Sequence, residues 1–401
     1  MNKPFNARAP ALDAGAISDT IRRALASAGL DTTAGPMRGV TEALRRAWAA
    51  GGPGGAEPRG DSGSVIDVDA RLVPADDAAK PAATSRPPAA DAAQRPGSFE
   101  AQQFSNGAGT RAYKVYVPAR RSDAAPALVV MLHGCTQSAD DFAAGTQMNR
   151  LADEHGFFVV YPEQAAHANA SKCWNWFKPQ DQRRDAGEPS LIADIVREVT
   201  REHGADPRRI FVAGLSAGAA MAVVLGETYP ELFAGVGVHS GLPFGSAHDI
   251  PSALAAMKGG RRGLAGLKHA PGAGGQTRMS AARAVPTIVF HGDRDHTVQP
   301  SNGAQVAQQA RDAHDAHGAR AGSAALQART ESGLAPGGRR FSRTVHADAQ
   351  GQARVETWTL HGAGHAWSGG HASGSYTDHT GPDASAEMVR FFVALPRAGS
   401  A

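Results

Sequence analysis

A serine between two glycines is the clearest sign of chemistry in this sequence of 401 residues. Ser216 is the centre of a Gly214-x-Ser216-x-Gly218 motif, which follows the apolar run Ile210–Ala213 and begins a helical pattern. A sharp turn from strand to helix would hold the hydroxyl clear of a sheet, with glycine at the close contacts on either side. The motif predicts a nucleophile for acyl transfer. A helix N-cap serine between packing glycines is the alternative without chemistry.

A nucleophilic serine needs a base within hydrogen-bond reach and a carboxylate that orients this base. In the α/β-hydrolase arrangement the acid and then the histidine follow the serine along the chain. Among 16 histidines, His365 lies in a glycine-rich loop after the last strand-like run and is the expected base, whereas His361 is expected to be structural. Asp293 and Asp295 both follow the strand-like run Thr287–His291. Their spacing alone does not choose the acid.

Two backbone N–H groups are expected to stabilise the oxyanion that forms during acyl transfer. One belongs to Ala217, the residue after the nucleophile, and the other is expected from the loop after the run Leu128–Leu132. We assign the second N–H to Cys135. His133 begins this loop and is expected to brace it, because His365 fits the order of a base better.

The two cysteines, Cys135 and Cys173, both lie beside presumed active-site loops. We predict a disulfide between them, with two reduced thiols as the alternative. Trp174 and Trp176 follow Cys173 and could line an apolar cleft or belong to the core. We assign both of them and Trp367 to substrate binding.

Strand-like runs alternate with helical patterns after residue 98, which predicts an α/β fold with a mostly parallel sheet and helices on both faces. The runs are Tyr113–Val117, Leu128–Leu132, Phe157–Tyr161, Ile210–Ala213, Gly235–His239, Thr287–His291 and Val355–Leu360. Helical patterns cover Asp141–His155 and Ser190–His203, and a third begins at Ser216. Two stretches rich in Ala, Gly and Arg, about 243–284 and 303–350, interrupt this rhythm and are expected to be insertions at the rim of the sheet.

The first 97 residues differ in character from the remainder. An internal repeat, Ser18–Gly29 against Thr41–Gly52, predicts a small helical hairpin within residues 1–52. It would pack on the main domain or dock to a partner that the sequence does not identify. Residues 53–97 have the Ala, Pro and Gly content of a disordered linker. The catalytic domain is therefore expected over 98–397.

Composition excludes several classes of function. The chain has 41 Lys and Arg against 38 Asp and Glu, a balance that does not favour nucleic acid as a partner. Apolar segments are too short for a membrane span, and two cysteines are too few for a Cys-based zinc module. We expect no metal and no cofactor. The N-terminus carries no legible signal peptide, because Asp13 and two prolines interrupt its apolar residues.

Five motifs follow one another within about residues 98–395. They are His133-Gly-Cys-Thr-Gln137, Cys173-Trp-Asn-Trp-Phe177, Gly214-Leu-Ser-Ala-Gly218, His291-Gly-x-x-Asp295-x-x-Val298 and Gly364-His-Ala-Trp367. Together they resemble the polyhydroxybutyrate depolymerase family of esterases, which is related to feruloyl and acetylxylan esterases. The resemblance implies an α/β-hydrolase fold with Ser216 as nucleophile, His365 as base and Asp295 as acid.

The resemblance also implies a substrate and a location. Expected substrates are ester bonds of poly(3-hydroxybutyrate), its oligomers or related short-chain esters. A feruloyl or acetylxylan type of carbohydrate esterase is the first alternative, and a non-catalytic hydrolase-like binding protein is the second. The family implies an extracellular protein, with the cytoplasm as the alternative.

Overall fold

Ten strands form one sheet in the part of the chain that the computed structural model describes, residues 97–119, 125–259 and 283–397. They are β1 (Ser98–Asn106), β2 (Gly109–Val117), β3 (Leu128–Leu132), β4 (Phe158–Glu163), β5 (Ile210–Leu215), β6 (Gly235–His239), β7 (Thr287–Gly292), β8 (Gln327–Leu334), β9 (Arg340–Ala347) and β10 (Ala353–Leu360). Their order across the sheet is β1-β2-β4-β3-β5-β6-β7-β10-β9-β8. The predicted hairpin over 1–52 lies outside the described residues, as does the predicted linker over 53–97 except for Gly97.

The six central strands, from β4 to β10 in the sheet order, are parallel to one another. Strands β3, β5, β6 and β7 are buried along their whole length, because a parallel sheet is covered on both faces. All seven predicted strand-like runs are confirmed, with ends that differ by a few residues. The predicted mostly parallel sheet is therefore correct.

Helices cover both faces of the sheet, as predicted. Within the described ranges they are α1 (Ala139–Thr146), α2 (Met148–His155), α3 (Gly187–His203), α4 (Ala217–Thr228), α5 (Ile250–Met257), α6 (Ser301–Arg320) and α7 (Ala384–Ala394). Successive residues of β3 point into two separate apolar clusters, one packed with α3 and α4 and the other with α1, α2 and α7. None of these described helices is both long and apolar enough to cross a membrane. Two short parallel strands, β11 (Trp367–Ser368) and β12 (Thr377–Asp378), form a second sheet.

The predicted helix over Asp141–His155 is in fact two helices. Gln147 separates α1 from α2 with a left-handed backbone, at φ 55°. Its N–H still bonds the carbonyl of Ala143 at 3.1 Å, so the first helix ends in an αL cap. The helical periodicity of the sequence does not show this break.

The stretch 303–350, predicted to be an insertion at the rim of the sheet, contains the helix that follows β7 and a hairpin at the outer edge of the sheet. Helix α6 connects β7 to the strands that follow, and β8 and β9 form an antiparallel hairpin that extends the sheet beside β10. Strand β8, whose sequence is QARTESGL, is mostly exposed and lacks the apolar residues by which buried strands are recognised. The other proposed insertion, 243–284, contains α5, and its residues 260–282 lie outside the described residues.

A close backbone contact joins the end of β3 to the turn after β5. A Cβ atom added to Gly218 would lie 2.1 Å from the carbonyl oxygen of Leu132, and one added to Gly214 would lie 2.7 Å from the same oxygen. Both distances are shorter than any real Cβ contact, and backbone atoms cannot move aside as a side chain can. Both glycines of the Gly-x-Ser-x-Gly motif are therefore required by packing.

We expect the substitution Gly218→Ala to lower the free energy of unfolding by about 2 kcal/mol or more, as overpacked core sites do. Gly107→Ala is the matched control, because a Cβ there meets no atom within 4 Å, and it should change stability by less than about 0.5 kcal/mol. Urea unfolding of both variants measures the difference. Equal stabilities would contradict the close contact.

Candidate active site

Three loops at one edge of the sheet carry the predicted nucleophile, acid and base. Strands β5, β6, β7 and β10 are consecutive neighbours and parallel, so their carboxyl ends lie at the same edge. Ser216 follows β5, Asp295 follows β7 and His365 follows β10. This is the edge at which open α/β sheets bind ligands.

Ser216 has a strained backbone, with φ 57° and ψ −118°. Residues that have a Cβ rarely adopt a positive φ, which costs about 1–3 kcal/mol and persists only where the surroundings fix it. Here the N–H of Ser216 donates to the carbonyl of His239 at 2.9 Å, and the carbonyl of Ser216 accepts from Ala220 at 2.9 Å. The residue therefore forms the sharp strand-to-helix turn that the motif predicts.

His365 and Asp295 form a direct hydrogen bond. Nδ1 of His365 lies 2.7 Å from Oδ2 of Asp295. The other carboxylate oxygen accepts the N–H groups of Thr297 at 3.0 Å and Val298 at 2.8 Å. The carboxylate is only 1% exposed and is held on both oxygens, which gives the imidazole a fixed orientation.

The buried Asp295 carboxyl keeps its negative charge. Burial by itself raises the pKa of Asp295, but hydrogen bonds from His291 and His365 outweigh it and hold this pKa well below its usual range. Nε2 of His291 lies 3.4 Å from Oδ2 of Asp295 and 2.8 Å from the carbonyl of Val298. Sequence reasoning assigned no role to His291, although a histidine at the end of an apolar strand is itself a signal of a polar site.

His239 is a second histidine that sequence reasoning missed. It is fully buried at the end of β6, and its Nε2 accepts the N–H of Ser368 at 3.0 Å. Burial, followed by electrostatic interactions with His291 and His365, lowers the pKa of His239 to about 3. A neutral His239 can thus serve as an acceptor. It connects the loop of His365 to the turn of Ser216, because its own carbonyl accepts the N–H of Ser216.

Asp293, the other candidate acid, has a different partner. Its carboxylate accepts from Nδ1 of His361 at 3.0 Å and from the N–H of Gly362 at 2.6 Å. Nε2 of His361 in turn lies 2.9 Å from Oγ of Ser342 on β9. The geometry therefore selects Asp295 as the partner of His365 and places Asp293 in a separate, exposed cluster.

The loop after β3 is braced by His133, as predicted. This buried histidine donates through Nδ1 to the carbonyl of Gly134 at 2.7 Å and accepts at Nε2 from the N–H of Gln164 at 3.0 Å. Burial lowers the pKa of His133, which favours the neutral ring that these bonds require. Both ring nitrogens are therefore occupied, so His133 is not free to act as a base.

The N–H of Cys135 lies between two engaged neighbours. Gly134 donates to the side chain of Gln137 at 2.9 Å, and Thr136 donates to the carbonyl of Ser171 at 2.8 Å. Across the described ranges, no protein acceptor binds the N–H of Cys135. The N–H of Ala217, at the start of α4, has no acceptor within its own helix. Their assignment as oxyanion donors stays a prediction, and the hydrogen bonds of the described residues leave both N–H groups available for it.

A disulfide joins Cys135 to Cys173, as predicted. It ties the loop after β3 to the segment that precedes α3. A buried carboxylate that the sequence did not reveal supports the same segment, because Glu188 accepts from the N–H of Asn175 at 2.7 Å and from its side-chain amide at 2.7 Å. Glu188 also pairs with Arg111 at 3.1 Å.

Two of the three tryptophans that the sequence assigns to substrate binding are fully buried in the core. Trp174 is fully buried with its ring 5.6 Å from that of His133, and Trp367 is 1% exposed and stacks on His239 at 5.2 Å. Neither ring offers surface to a substrate, because large aromatic side chains fill the core here. Trp176 is 6% exposed, and its contact with substrate stays a prediction.

The sequence profile of the family described as Esterase PHB depolymerase matches residues 111–331, more than half of the chain. The chain belongs to this family. A poly(3-hydroxyalkanoate) depolymerase C of Paucimonas lemoignei is 34% identical over 255 residues, which cover 62% of this chain and 57% of that protein. A probable acetylxylan esterase A of Aspergillus fumigatus is 31% identical over 238 residues, which cover 55% of this chain and 61% of that protein.

Other family relatives are similarly distant. A feruloyl esterase B of Neurospora crassa is 31% identical over 202 residues, covering 49% of this chain and 67% of that protein. The chain thus spans about three fifths of the length of the first two relatives. The solved acetyl xylan esterase from Aspergillus awamori aligns with a TM-score of 0.52 at 20% identity, covering 74% of this chain and 99% of that one. The fold is therefore that of the α/β-hydrolases.

Metal-binding geometry is lacking in the described part of the chain. There, His, Cys, Asp and Glu side chains form no group of three or more that could hold a metal ion. The histidines near Asp295 instead bond carbonyl, carboxylate and N–H groups of the protein.

The free energy of unfolding is expected to depend on pH through Asp181, which accepts the N–H of Glu188, the residue that supports the Cys173 segment. Burial, then the negative charge of Glu188, raises the pKa of Asp181 to about 6, against an opposing hydrogen bond from the Glu188 N–H. A raised pKa means that the folded protein binds this proton more tightly than the unfolded chain. The free energy of unfolding should therefore fall by about 1–2 kcal/mol as pH rises from 4 to 7.

Asp181→Asn tests this expectation, since an amide does not ionise. Urea unfolding of the parent and the variant at pH 4, 5, 6 and 7 should show that the variant lacks this part of the decline. Parallel curves for the two proteins would contradict the assignment.

Proposed function

We propose that the protein hydrolyses carboxylic esters through an acyl-enzyme intermediate on Ser216. The observation that carries the proposal is the 2.7 Å hydrogen bond between Nδ1 of His365 and Oδ2 of Asp295. It lies at the sheet edge where Ser216 occupies its strained turn, in a chain of the Esterase PHB depolymerase family. These features together support a nucleophile, a base and an orienting acid.

The proposed reaction begins at the ring of His365. Because Nδ1 donates its proton to Asp295, Nε2 carries a lone pair that can accept the proton of the Ser216 hydroxyl. Oγ then attacks the ester carbonyl carbon, and the N–H groups of Cys135 and Ala217 stabilise the oxyanion. The alcohol leaves with the proton from Nε2. Water attacks the acyl-enzyme in the same way and releases the acid.

Asp295 acts through His365 in this scheme. The imidazole becomes positive when it takes the serine proton, and the buried anion beside it stabilises this charge. The low pKa of Asp295 ensures that the anion is present throughout the neutral range. The pair therefore supplies both orientation and charge.

For the substrate, we propose ester bonds of poly(3-hydroxybutyrate), its oligomers or related short-chain esters. The poly(3-hydroxyalkanoate) depolymerase relative supports this class. Acetyl or feruloyl esters of carbohydrates are a second candidate, supported by the acetylxylan and feruloyl esterase relatives. Turnover of 3-hydroxybutyrate oligomers against release of ferulate and acetate from model substrates distinguishes them.

We also propose a domain and a location. Residues 98–397 would form the catalytic domain. The protein would act outside the cytoplasm, which the Cys135–Cys173 disulfide supports, because disulfides persist in oxidising compartments.

Ser216→Ala is expected to lower kcat for p-nitrophenyl butyrate by about 10⁴-fold or more, since it removes the nucleophile. Thermal unfolding of the variant serves as the control for folding. A variant that keeps a tenth of the parent activity would refute the assignment of Ser216. An inactive but folded parent, tested on the full substrate panel, would instead favour a non-catalytic binding protein.

The two aspartates after β7 provide a matched pair of variants. Asp295→Asn should lower kcat about 10³- to 10⁴-fold, because the amide cannot stabilise a positive His365. Asp293→Asn should leave kcat within about threefold of the parent, because its partners belong to the exposed cluster. Equal losses for both variants would show that the acid has been wrongly chosen.

A further inference from the structure

Tyr376 connects two of the loops that form the site. Its carbonyl accepts the N–H of Trp367, two residues after His365, at 2.7 Å. Its hydroxyl lies 3.1 Å from Oγ1 of Thr136, the residue after Cys135. Tyr376 is therefore bonded through its backbone to the loop that carries His365 and through its hydroxyl to the loop that carries Cys135.

The backbone of Tyr376, like that of Ser216, has a positive φ. Its φ is 53°, in the left-handed region that a residue with a bulky side chain rarely occupies. The preceding residue is fixed by Asp141, which accepts both the N–H and the hydroxyl of Ser375 at 2.8 and 2.5 Å. Backbone strain that the surroundings hold in place is concentrated at functional sites, and this supports a functional role for the Tyr376 side chain.

The positions of the two hydroxyl protons determine which hydrogen bonds the phenol can form with a ligand. The hydroxyl of Thr136 has one proton, and it donates this proton to the carbonyl of Cys135 at 2.6 Å. The contact between Thr136 and Tyr376 is therefore donated by the phenol. The remaining lone pairs of the phenol oxygen are acceptors, and this hydroxyl pair is exposed to solvent.

An exposed acceptor next to the oxyanion donor selects for a hydrogen-bond donor on the acyl group. Resting on the proposed esterase function, we infer that Tyr376 determines specificity by accepting a hydrogen bond from a free hydroxyl near the scissile carbonyl. A 3-hydroxyacyl ester carries such a hydroxyl, and a plain acyl ester does not. A site that hydrogen-bonds a substrate hydroxyl discriminates against the analogue that lacks it.

The inference also predicts where a polyester chain is cleaved. Inside a chain of 3-hydroxyacyl units each hydroxyl is esterified. Only the unit at the hydroxyl end has a free hydroxyl that can donate a hydrogen bond. Hydrolysis of the ester that follows this unit consumes one water, releases the unit as a free 3-hydroxy acid and returns a hydroxyl to the next unit. The protein should therefore shorten oligomers from the hydroxyl end.

Tyr376→Phe tests the inference with two methyl esters, butyrate and 3-hydroxybutyrate, followed by titration of the acid released. The variant should lose about tenfold in kcat/KM for the hydroxy ester and stay within about twofold of the parent for butyrate. An equal loss for both esters, or no loss for either, would overturn the inference. Failure of the parent on both esters would count against the proposed function itself.

Thr136→Val is the matched control, because it removes the same hydrogen bond but keeps the phenol oxygen. It should preserve the parent's preference for the hydroxy ester, whereas a phenol that merely braces Thr136 would give both variants the same change. A second measurement needs no variant. Acetylation of the terminal hydroxyl of a 3-hydroxybutyrate trimer should slow its hydrolysis by the parent about tenfold, and equal rates for capped and free trimers would overturn the inference.

Discussion

The contact between the end of β3 and the start of α4 is the constraint on which the rest of the site depends. The carbonyl of Leu132 occupies the space where a side chain of Gly214 or Gly218 would stand. Because β3 and β5 are neighbours, this contact sets the loop that carries Cys135 directly beside the turn that carries Ser216. Backbone packing thus positions the proposed nucleophile and the proposed oxyanion donors relative to each other.

A single buried anion organises the other half of the site. Asp295 is held by two N–H groups and lies near three histidines, of which His239 is kept neutral by burial. A neutral His239 can accept a hydrogen bond from the loop of His365, and it does not oppose the positive charge that His365 would acquire in the proposed reaction. An unpaired buried polar group costs free energy, and the backbone N–H groups of Thr297, Val298 and Ser368 supply hydrogen bonds to this cluster.

Much of this arrangement could be predicted from the sequence, and the exceptions have physical reasons. The central strands are recognisable in the sequence as apolar runs, and the turn at Ser216 is recognisable from its Gly214-x-Ser216-x-Gly218 motif. The β8–β9 hairpin does not, because its polar strands lie at an exposed sheet edge. The choice between Asp293 and Asp295 depends on which histidine each one reaches across the sheet, which spacing cannot reveal. Burial of Trp174 and Trp367 likewise follows from tertiary packing rather than from the motifs that contain them.

Trapping the proposed tetrahedral state would test the central claim most directly. A crystal structure of the protein after reaction with an alkyl p-nitrophenyl phosphonate should show phosphorus bonded to Oγ of Ser216. The phosphonyl oxygen should lie about 3 Å from the N–H groups of Cys135 and Ala217, as oxyanion donors require. A phosphonyl oxygen that points away from these two groups, or an adduct on any other residue, would contradict the account.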